Sequence, residues 1–578
     1  MVEKTEYDVI VVGTGGAGFT AALAAHERGL STLVIEATGG FGGSTARSGG
    51  GVWIPNNYAL RAAGQSQPVE EVKEYLYSII GDTVERERID AFVDNGPAAL
   101  EFIRDHSAAD FRWVPNYSDY YPEAPGGKAS GRSVEPKPID GHVIGDELER
   151  LTPSYTKAPA GMVVTQKDYR HISLGMRTLR GPLTMIKVFL TRLLTMARGK
   201  RMYGMGMAMM IGMRKGLLDR DIPLWYDTPL TDLQVTDGRV TGVVVQRNGA
   251  EQALTARRGV VLACGGFEHN DEMRKKFQRA PIGNEWTTGA AGNTGAGIEA
   301  AAKHGAELAL MDDAWWGPSI PLPSGPWFCL AERNLPGSII VNQDGKRYAN
   351  EAAPYVDAVH AMYDSAEATG IEHVPSWMII DQRYRNRYLF AGLGPRQPFP
   401  GRWLKSGVIV KASTLEGLAE KIGVPAANLA ETVETFNGYA ATGKDLDFGR
   451  GDSAYDRYYG DPRVKPNPSL GEISQGPFYA VKMVPGDLGT KGGIVTDPLA
   501  RALRTDGSVI EGLYAAGNVS AAVMGNTYAG AGATIGPAVT FAWIAANHIA
   551  DSASGSAGDT GASVAGSQGV DTTEGKAS

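Results

Sequence analysis

The sequence has very few cysteines and no excess of basic residues. Its 578 residues include only Cys264 and Cys329, which excludes a disulfide framework and a cysteine-rich metal cluster. We therefore expect a reducing, cytoplasmic location and no bound metal. Asp and Glu, 64 in number, exceed the 56 Lys and Arg, and the formal net charge is -8. A general nucleic-acid partner is therefore not expected.

Long apolar runs and a secretory leader are also lacking. No stretch reaches the roughly 18 apolar residues that a transmembrane helix needs. The first residues, MVEKTEYDVIVVG, lead directly into an apolar strand without a basic and then apolar leader. The final segment, 551–578, has no aromatic residue and is rich in Gly, Ser, Ala and Thr. Because such a composition buries no core, we expect a disordered tail there.

Acidic residues are missing from one internal segment, 169–218. Nine Lys or Arg and nine of the 17 methionines lie between Met176 and Lys215. One interpretation is an amphipathic surface that contacts anionic lipid or guides an apolar substrate. The other is a partly buried helical pair whose basic side chains extend to solvent. The sequence leaves both interpretations, and with them a peripheral membrane contact, open.

A glycine-rich motif near the N-terminus is typical of dinucleotide binding. The apolar run DVIVV at 8–12 predicts a buried strand, and a helix and a second strand ending at Glu36 follow it. The motif between them comprises Gly13, Gly15, Gly16, Ala17 and Gly18. In such a βαβ unit the first glycine allows the tight turn, the second the approach of the pyrophosphate, and the third close helix–strand packing. Glu36 is placed to accept hydrogen bonds from a ribose.

Two further glycine-rich segments favour a longer ligand. The first, between 39 and 53, supplies candidate ligand-binding residues Gly42, Gly43, Ser44, Thr45, Ser48, Gly49 and Gly50. The second, VIEGLYAAGNVS, reads as a strand, a turn and a helix start, and supplies Gly517 and Asn518. These segments resemble the FAD-binding segments of the fumarate reductase/succinate dehydrogenase flavoprotein superfamily. The resemblance implies bound FAD.

The way in which the flavin is held and reoxidised also follows from what is missing. Covalent flavin attachment commonly uses a histidine near the early glycine-rich run, but no histidine lies between His26 and His106. We therefore expect non-covalent FAD. No second strand–glycine–helix fingerprint is present, so a separate NAD(P)H domain is not expected. The flavin is then reduced by the substrate and reoxidised by an external acceptor, such as a quinone or a dye.

The predicted fold class is α/β, with a Rossmann-type FAD-binding domain and an inserted α+β catalytic domain that binds the substrate. The expected division is 1–314 and 486–550 for the FAD-binding domain, with the basic Met-rich excursion at about 169–218, and 315–485 for the catalytic domain. Within the latter, a helix is expected at about 413–440, capped by Ser413 with Glu416 three residues on. The oligomeric state stays open.

The rest of the chain resembles the 3-ketosteroid Δ1-dehydrogenases. The resemblance rests on the segments STARSGGGVWIPNN, VPNYSDYYPEAPGG, ACGGFEHN, DDAWWGP, ERNLPGSIIVN and KMVPGDLGTKGGI, which cover about residues 6 to 550 in order. It implies desaturation of the steroid A ring between C1 and C2, with a 3-ketosteroid as substrate. It also implies that Tyr528 and Gly532 hold the C3 carbonyl, that Tyr355 removes the C2 proton, and that Tyr120 supports this base. Tyr121 is the neighbour most easily confused with Tyr120.

The carbonyl-binding turn departs from the family pattern, because Ala529 and Ala531 stand where the family has prolines. Losing two rings that fix φ should loosen the turn. Trp315 and Trp316 fit either a steroid slot or simple core packing. Alternatives on the same scaffold are a 3-keto-5α-steroid 4-dehydrogenase and a fumarate-reductase-like flavin oxidoreductase, and a non-catalytic flavin carrier is a third. A dicarboxylate substrate, however, would demand arginines that the late motif lacks.

Overall fold

The computed structural model of the protein describes residues 4–155 and 162–553. The first βαβ unit is present as predicted, with strand Glu6–Val12, helix Gly16–Glu27 and strand Thr32–Ile35. Gly13 has φ +108°, and a Cβ at Gly18 would lie 2.0 Å from the Gly13 carbonyl oxygen. These two glycines therefore allow the turn and the close packing of helix on strand.

The βαβ unit forms the centre of an eight-stranded cofactor sheet. Its strands, in spatial order, are Arg501–Leu503, Val509–Ala515, Ala250–Leu262, Glu6–Val12, Thr32–Ile35 and Leu224–Trp225, with the antiparallel strands Arg239–Arg247 and Leu230–Thr236 attached. The central strands run parallel and are buried on both faces. This arrangement matches the predicted Rossmann-type domain built from both ends of the chain.

A second, six-stranded sheet, the substrate sheet, is formed by the middle of the chain. Its strands, in spatial order, are Trp327–Phe328, Ala314–Ile320, Phe478–Thr490, Ser376–Asp381 and Ser338–Val341, with Ile409–Ala412 pairing with Phe478–Thr490. The sheet is antiparallel throughout. The proposed domain limits at 314/315 and 485/486 both fall inside strands of this sheet.

The remaining strands are short and the helices surround the two sheets. The short strands are Val52–Trp53, Phe111–Trp113, Ser133–Pro136, Ile139–Asp140, Met202–Tyr203, Leu308–Ala309 and Gly493–Ile494. The α-helices after the first are Gly43–Arg47, Tyr58–Ala62, Val69–Ile80, Arg86–His106, Gln166–Ser173, Arg180–Ala197, Met205–Leu218, Asp271–Phe277, Ala296–Lys303, Tyr355–Thr369, Gln382–Arg387, Gly401–Lys405, Leu415–Ile422, Ala426–Thr442, Ala454–Tyr458 and Ile535–Ala553. Within the described ranges, no helix combines the length and hydropathy needed to cross a bilayer.

Four sequence expectations differ from the structure. The expected helix start after Asn518 is wrong, because the next helix begins only at Ile535. The single helix expected at 413–440 is two helices, since Gly423 ends the first with φ +76° and Pro425 caps the second. The cap of the first is Thr414, not Ser413. Residues 551–553 complete the last helix rather than begin a tail, and 554–578 lie outside the described residues.

The Met-rich segment contains two helices of opposite character. The helix Met205–Leu218 is largely buried and packs against Gly16–Glu27. The helix Arg180–Ala197, which we call the exposed helix, buries only Gly181 and Val188. The interpretation as a partly buried pair therefore fits only the helix Met205–Leu218. The amphipathic interpretation fits the exposed helix.

Candidate active site

One cavity of about 660 Å³ extends from the glycine-rich motif of the cofactor sheet to the substrate sheet. Most of the predicted site residues line it: Gly13, Gly15, Gly16, Ala17, Glu36, Gly43, Ser44, Thr45, Ser48, Gly49, Gly50, Gly517, Asn518, Tyr120, Tyr355, Tyr528 and Gly532. Gly18 and Gly42 do not. Gly18 lies in the helix–strand contact, and Gly42 caps helix Gly43–Arg47 with φ +106°. These two glycines allow the backbone packing next to the cavity but do not line it.

The motif end of the cavity fits a dinucleotide. Gly15 caps the N-terminus of helix Gly16–Glu27 without a side-chain hydrogen bond, and the first turn carries no acidic residue. A Cβ at Gly15 would meet nothing closer than Thr45 Oγ1 at 3.7 Å, so the cavity reaches the backbone here. The Gly16 N–H donates to Thr45 Oγ1 at 3.1 Å, and the helix dipole with the other N–H groups of the first turn favours a pyrophosphate. Because the same cavity continues to the tyrosines, the residues present fit the length of FAD.

Glu36 lies at this end with partners of its own. Its Oε1 accepts hydrogen bonds from the Thr38 N–H at 3.0 Å and the Thr38 hydroxyl at 2.9 Å. Its Oε2 accepts a hydrogen bond from the Thr14 hydroxyl at 2.5 Å. A carboxylate has about four acceptor positions, so the side chain is fixed in place and retains capacity for a ribose.

Sequence reasoning missed a wall of the cavity at 290–294. The Asn293 side-chain amide donates to Ser44 Oγ at 3.0 Å and to Glu268 Oε1 at 2.6 Å. Glu268 is fully buried, and burial, with Asp487 nearby, raises its pKa to about 7. The glycine-rich run GAAGNTGAG at 289–297 was a usable sequence signal for this wall.

Three predicted tyrosines meet at the other end of the cavity. The Tyr120 hydroxyl donates to the Tyr355 hydroxyl at 2.9 Å. The Tyr528 ring centre lies 5.1 Å from that of Tyr120 and 5.4 Å from that of Tyr355. The Tyr121 hydroxyl instead donates to Asp357 at 2.8 Å. Tyr120, and not Tyr121, is therefore the tyrosine in contact with Tyr355.

Burial controls the protonation of this cluster. It raises the pKa of Tyr355 and of Tyr120 well above the usual value, and the neighbouring tyrosines raise both further. The hydrogen bond from Tyr120 acts in the opposite direction on the pKa of Tyr355. Burial also raises the pKa of Tyr528, against hydrogen bonds from Thr534 and the Gly532 backbone. All three phenols are therefore protonated near neutral pH.

The turn that joins Tyr528 to Gly532 is held by hydrogen bonds. The Ala529 carbonyl accepts from the Tyr75 hydroxyl at 2.6 Å and from the Tyr120 N–H at 3.1 Å. The Gly532 carbonyl accepts from the Trp53 N–H at 3.1 Å. Gly532 has φ +98°, and a Cβ there would lie 2.4 Å from the Gly51 backbone. The turn is thus constrained although alanines replace the prolines.

The slot beside the tyrosines is apolar. Tyr117, Phe328, Leu330 and Leu488, which sequence reasoning did not select, line it. Trp315 does not line this cavity; it packs behind Tyr528, at 4.9 Å between ring centres, and donates from Nε1 to Asn518 at 3.1 Å. Trp316 does not line the cavity either; it is buried and donates from Nε1 to Asp313 Oδ1 at 2.6 Å. Apolar walls with polar groups at one end suit a flat, apolar ketone.

Neither histidines nor metal ligands gather at this cavity. No histidine is among its lining residues in the described part of the chain. Over 4–155 and 162–553, no group of three or more His, Cys, Asp or Glu could hold a metal ion. The chemistry available at the substrate end is therefore that of phenols and backbone N–H groups.

Comparisons with known proteins identify the family of the chain. The model of the family described as FAD binding domain matches residues 8–535. The 3-oxosteroid 1-dehydrogenase of Mycolicibacterium smegmatis is 56% identical over 559 residues, which cover 95% of this chain and 98% of that protein. The 3-ketosteroid Δ1-dehydrogenase of Sterolibacterium denitrificans, solved with 1,4-androstadiene-3,17-dione, is 42% identical with a TM-score of 0.91, covering 95% and 100% of the two chains. The 3-ketosteroid-Δ4-(5α)-dehydrogenase of Rhodococcus jostii shares the fold, at 22% identity and a TM-score of 0.66 over 95% and 98%.

Proposed function

Because the chain belongs to the family of FAD-dependent 3-oxosteroid 1-dehydrogenases, we propose that it introduces the C1–C2 double bond into ring A of a 3-oxosteroid. The observation that carries the proposal is the meeting of Tyr120, Tyr355 and Tyr528 at one end of the cavity whose other end is the dinucleotide motif. A substrate ketone in the slot would lie beside the phenols, in the same cavity that would hold the cofactor. Breakdown of steroids is the expected setting.

The Tyr528 hydroxyl and the Gly532 N–H act on the substrate carbonyl. Both groups lie on one constrained turn, and Tyr528 is 3% exposed. Hydrogen bonds to a carbonyl oxygen stabilise the negative charge that develops on it, and they are stronger in a site that excludes water. This pair therefore makes the C2 proton more acidic.

Tyr355 removes that proton in its phenolate form and thereby becomes a neutral phenol, with Tyr120 as the donor that supports the phenolate. The hydrogen bond from Tyr120 stabilises the oxygen of Tyr355 once its own proton has left. When bound, FAD supplies an isoalloxazine ring that accepts the hydride from C1. The substrate thus loses a proton from C2 and a hydride from C1, and the double bond forms between the two carbons.

The cofactor is held without a covalent bond in this proposal. Gly13, Gly15, Gly16 and Ala17 contact the pyrophosphate, and Glu36 the ribose. The second glycine-rich run, with Ser44, Thr45, Ser48, Gly49 and Gly50, and the late pair Gly517 and Asn518 contact the remaining length toward the flavin. An external quinone or dye reoxidises the flavin.

The direct test uses the purified holoprotein with androst-4-ene-3,17-dione and a dye acceptor. The expected product is the 1,4-diene, identified by mass and ultraviolet spectrum. Dye reduction only by saturated 5α-steroids would instead indicate a 4-dehydrogenase. Reduction by neither steroid would contradict the proposal, and a Tyr355→Phe preparation with full FAD content is the control for reaction at this site.

We also propose that the exposed helix contacts an anionic membrane surface. Ten of the sixteen exposed large apolar side chains of the described residues lie between Met176 and Met196. Leu179, Leu183, Ile186, Leu190 and Leu193 share one face by their spacing of four and three residues, and each is 46% exposed or more. Gly181 and Val188 lie on the face toward the protein. The apolar face therefore points away from the fold.

Charge favours lipid over a second copy of the chain as the occupant of this face. Arg180, Lys187 and Arg198 are exposed beside the apolar stripe, and the segment 169–218 has no acidic residue. Two copies would bring like charges together, whereas anionic headgroups complement them. The preceding helix, Gln166–Ser173, packs against the exposed helix, and Gln166 lines the cavity. The lipid contact is thus adjacent to the site for an apolar substrate.

Flotation with vesicles tests this contact. The holoprotein is expected to float with phosphatidylcholine vesicles that contain phosphatidylglycerol, and less with phosphatidylcholine alone. The double variant Leu183→Gln/Leu190→Gln should stay unbound, whereas Leu446→Gln, at a side chain 74% exposed elsewhere, should behave as the unchanged protein. Equal flotation of all three proteins, or none by the unchanged protein, contradicts the proposal; a dimer that persists without lipid would indicate a second copy instead.

A further inference from the structure

We propose that Tyr75 is a positioning residue for the reaction, because its hydroxyl fixes the carbonyl-binding turn against the segment that carries Tyr120. This inference rests on the function proposed above and adds a residue to it. Tyr75 does not line the cavity, so it acts through its neighbours and does not touch the substrate.

The shared acceptor is the carbonyl of Ala529. Tyr75, in helix Val69–Ile80, is fully buried, and its hydroxyl donates to this oxygen at 2.6 Å. The Tyr120 N–H donates to the same oxygen at 3.1 Å. Ala529 directly follows Tyr528, so this one carbonyl joins the backbone of the carbonyl-binding tyrosine to that of the tyrosine supporting the base.

Tyr75 also contacts the backbone of the segment that carries Tyr120. Its oxygen accepts a weak hydrogen bond from the Tyr121 N–H at 3.4 Å. Burial raises the pKa of Tyr75 well above its usual value, so the hydroxyl stays protonated and remains a donor to Ala529. The phenol therefore links three backbone segments through one oxygen.

The ring of Tyr75 is itself fixed by a buried charged cluster. The Arg132 guanidinium lies over the Tyr75 ring at 5.1 Å and over the Trp53 ring at 5.7 Å. Arg132 pairs with Asp119, which also accepts from Trp53 Nε1 at 2.9 Å. Asp119 precedes Tyr120 in the chain. The cluster therefore holds Tyr75 relative to the segment with the supporting tyrosine.

Trp53 extends the same assembly to the far end of the turn. The backbone N–H of Trp53 donates to the Gly532 carbonyl at 3.1 Å. A Cβ at Gly530 would lie 2.5 Å from the Trp53 ring. Residues 529 and 532 are thus both bonded to groups from one cross-linked assembly. These contacts restrain the position of the Gly532 N–H relative to the Tyr528 hydroxyl.

The alanines of this chain explain why such an assembly matters. A proline ring fixes φ covalently, whereas an alanine does not. Within the described residues, neither the Ala529 nor the Ala531 N–H donates a hydrogen bond, so a proline at either position removes none. We infer that the Tyr75 hydrogen bond restrains the backbone of this turn, as a proline ring would.

The experiment is a rescue series on the FAD-loaded protein. Tyr75→Phe should lower kcat about tenfold or more, because small misplacements of reacting groups are costly, with FAD content unchanged. Adding Ala529→Pro and Ala531→Pro to this variant should restore most of kcat, with the same two prolines in the otherwise unchanged protein as the reference for full activity. Tyr384→Phe, which removes another buried tyrosine hydrogen bond to a backbone carbonyl, at 2.7 Å to Glu332, is the matched control.

The outcomes separate this inference from the proposed function. If the unchanged protein does not turn over 3-oxosteroids, the proposed function fails. If it does, and Tyr75→Phe loses no more kcat than Tyr384→Phe, or the prolines restore nothing, Tyr75 has no positioning role. If Tyr75→Phe alone does not fold, a triple variant that folds and turns over supports the inference, and a triple variant that also fails to fold overturns it.

Discussion

The Tyr120 hydroxyl donates a hydrogen bond of 2.9 Å to the Tyr355 hydroxyl, although the two residues are 235 positions apart in the chain. Tyr120 lies in a loop between the strands Phe111–Trp113 and Ser133–Pro136, and Tyr355 is the first residue of the helix Tyr355–Thr369. In the proposed mechanism, proton abstraction therefore depends on how these two parts of the chain pack together.

Replacing the base should abolish turnover without emptying the site. Tyr355→Phe is expected to lower kcat by about 10²–10⁴, the usual contribution of a general base, while FAD content and the flavin spectral shift on adding the 1,4-diene stay near normal. Stopped-flow reduction of the flavin measures the loss. The kcat of Tyr120→Phe should fall between those of Tyr355→Phe and Tyr121→Phe, because Tyr120, unlike Tyr121, is hydrogen-bonded to Tyr355. Turnover near that of the unchanged protein in Tyr355→Phe would exclude it as the base.

The rate should rise with pH through the neutral range. Burial raises the pKa of Tyr355, and a base acts in its deprotonated form, so the active fraction grows as pH approaches that raised pKa from below. We expect kcat to increase between about pH 6 and 9, still below the ordinary phenol pKa of about 10. Initial rates at saturating steroid measure this profile. A maximum near pH 6 would point to a different base.

Gly15 should be needed for the cofactor rather than for folding. Its φ of -69° suits any residue, and a Cβ would have only Thr45 Oγ1, at 3.7 Å, within contact distance. Gly15→Ala is therefore expected to fold normally and to lose about 1–3 kcal/mol of FAD binding through crowding. Titration of the apoprotein with FAD measures this loss. Gly438→Ala, where no atom lies within 4 Å, should bind FAD as before; equal affinities would exclude close approach at Gly15.

A buried ion pair should make a large contribution to stability. Lys491 Nζ lies 2.9 Å from Asp313, and both are buried. Burial opposes the charge of Asp313, but Lys491 and His360 lower its pKa to about 2. Lys491→Met leaves this carboxylate without its main cation, so we expect a loss of about 3–5 kcal/mol in the free energy of unfolding at neutral pH.

The pH dependence of that loss has a definite sign. The folded pKa of Asp313 lies below its usual value of 3.8, so in the unchanged protein its contribution is full above that value and disappears as pH falls towards 2. In Lys491→Met the penalty should shrink on acidification, because a protonated Asp313 needs no cation. Urea unfolding at two pH values measures both effects. Lys303→Met, at an exposed pair with Asp232, should cost less than about 1 kcal/mol, and similar losses in both variants would contradict the argument.

Local signals predicted the cofactor half of the fold well. The βαβ unit depends on short apolar strands and glycines within about 30 residues, which neighbouring residues determine. The late helix was misplaced because the chain after Asn518 forms no helix before Ile535. Part of this stretch, including Tyr528 and Gly532, lines the cavity, and its path depends on packing against distant segments. Similarly, Ser413 and Thr414 are adjacent and both able to cap, and only the folded chain selects Thr414.

The site could be predicted only as far as recognisable segments reached. Resemblance selected Tyr120, Tyr355 and Tyr528, and the structure brings them together. Tyr75 carries no comparable sequence signal among 23 tyrosines, and Tyr117 was not selected although it lies in the resembling segment VPNYSDYYPEAPGG. The partners of both are hydrogen-bond acceptors or rings far along the chain. The cluster of Asp119, Arg132 and Trp53 was hidden for the same reason.

The strand Phe478–Thr490 belongs to both halves of the molecule. It pairs with strands of the substrate sheet along its whole length. Near its end, Asp487 binds Arg274 and Thr287, and Thr490 accepts from the Phe267 N–H. A hinge motion between the cofactor sheet and the substrate sheet would have to bend this strand or break its hydrogen bonds. Steroids should therefore enter and leave by local opening at the rim of the cavity, with the two halves staying in register during each catalytic cycle.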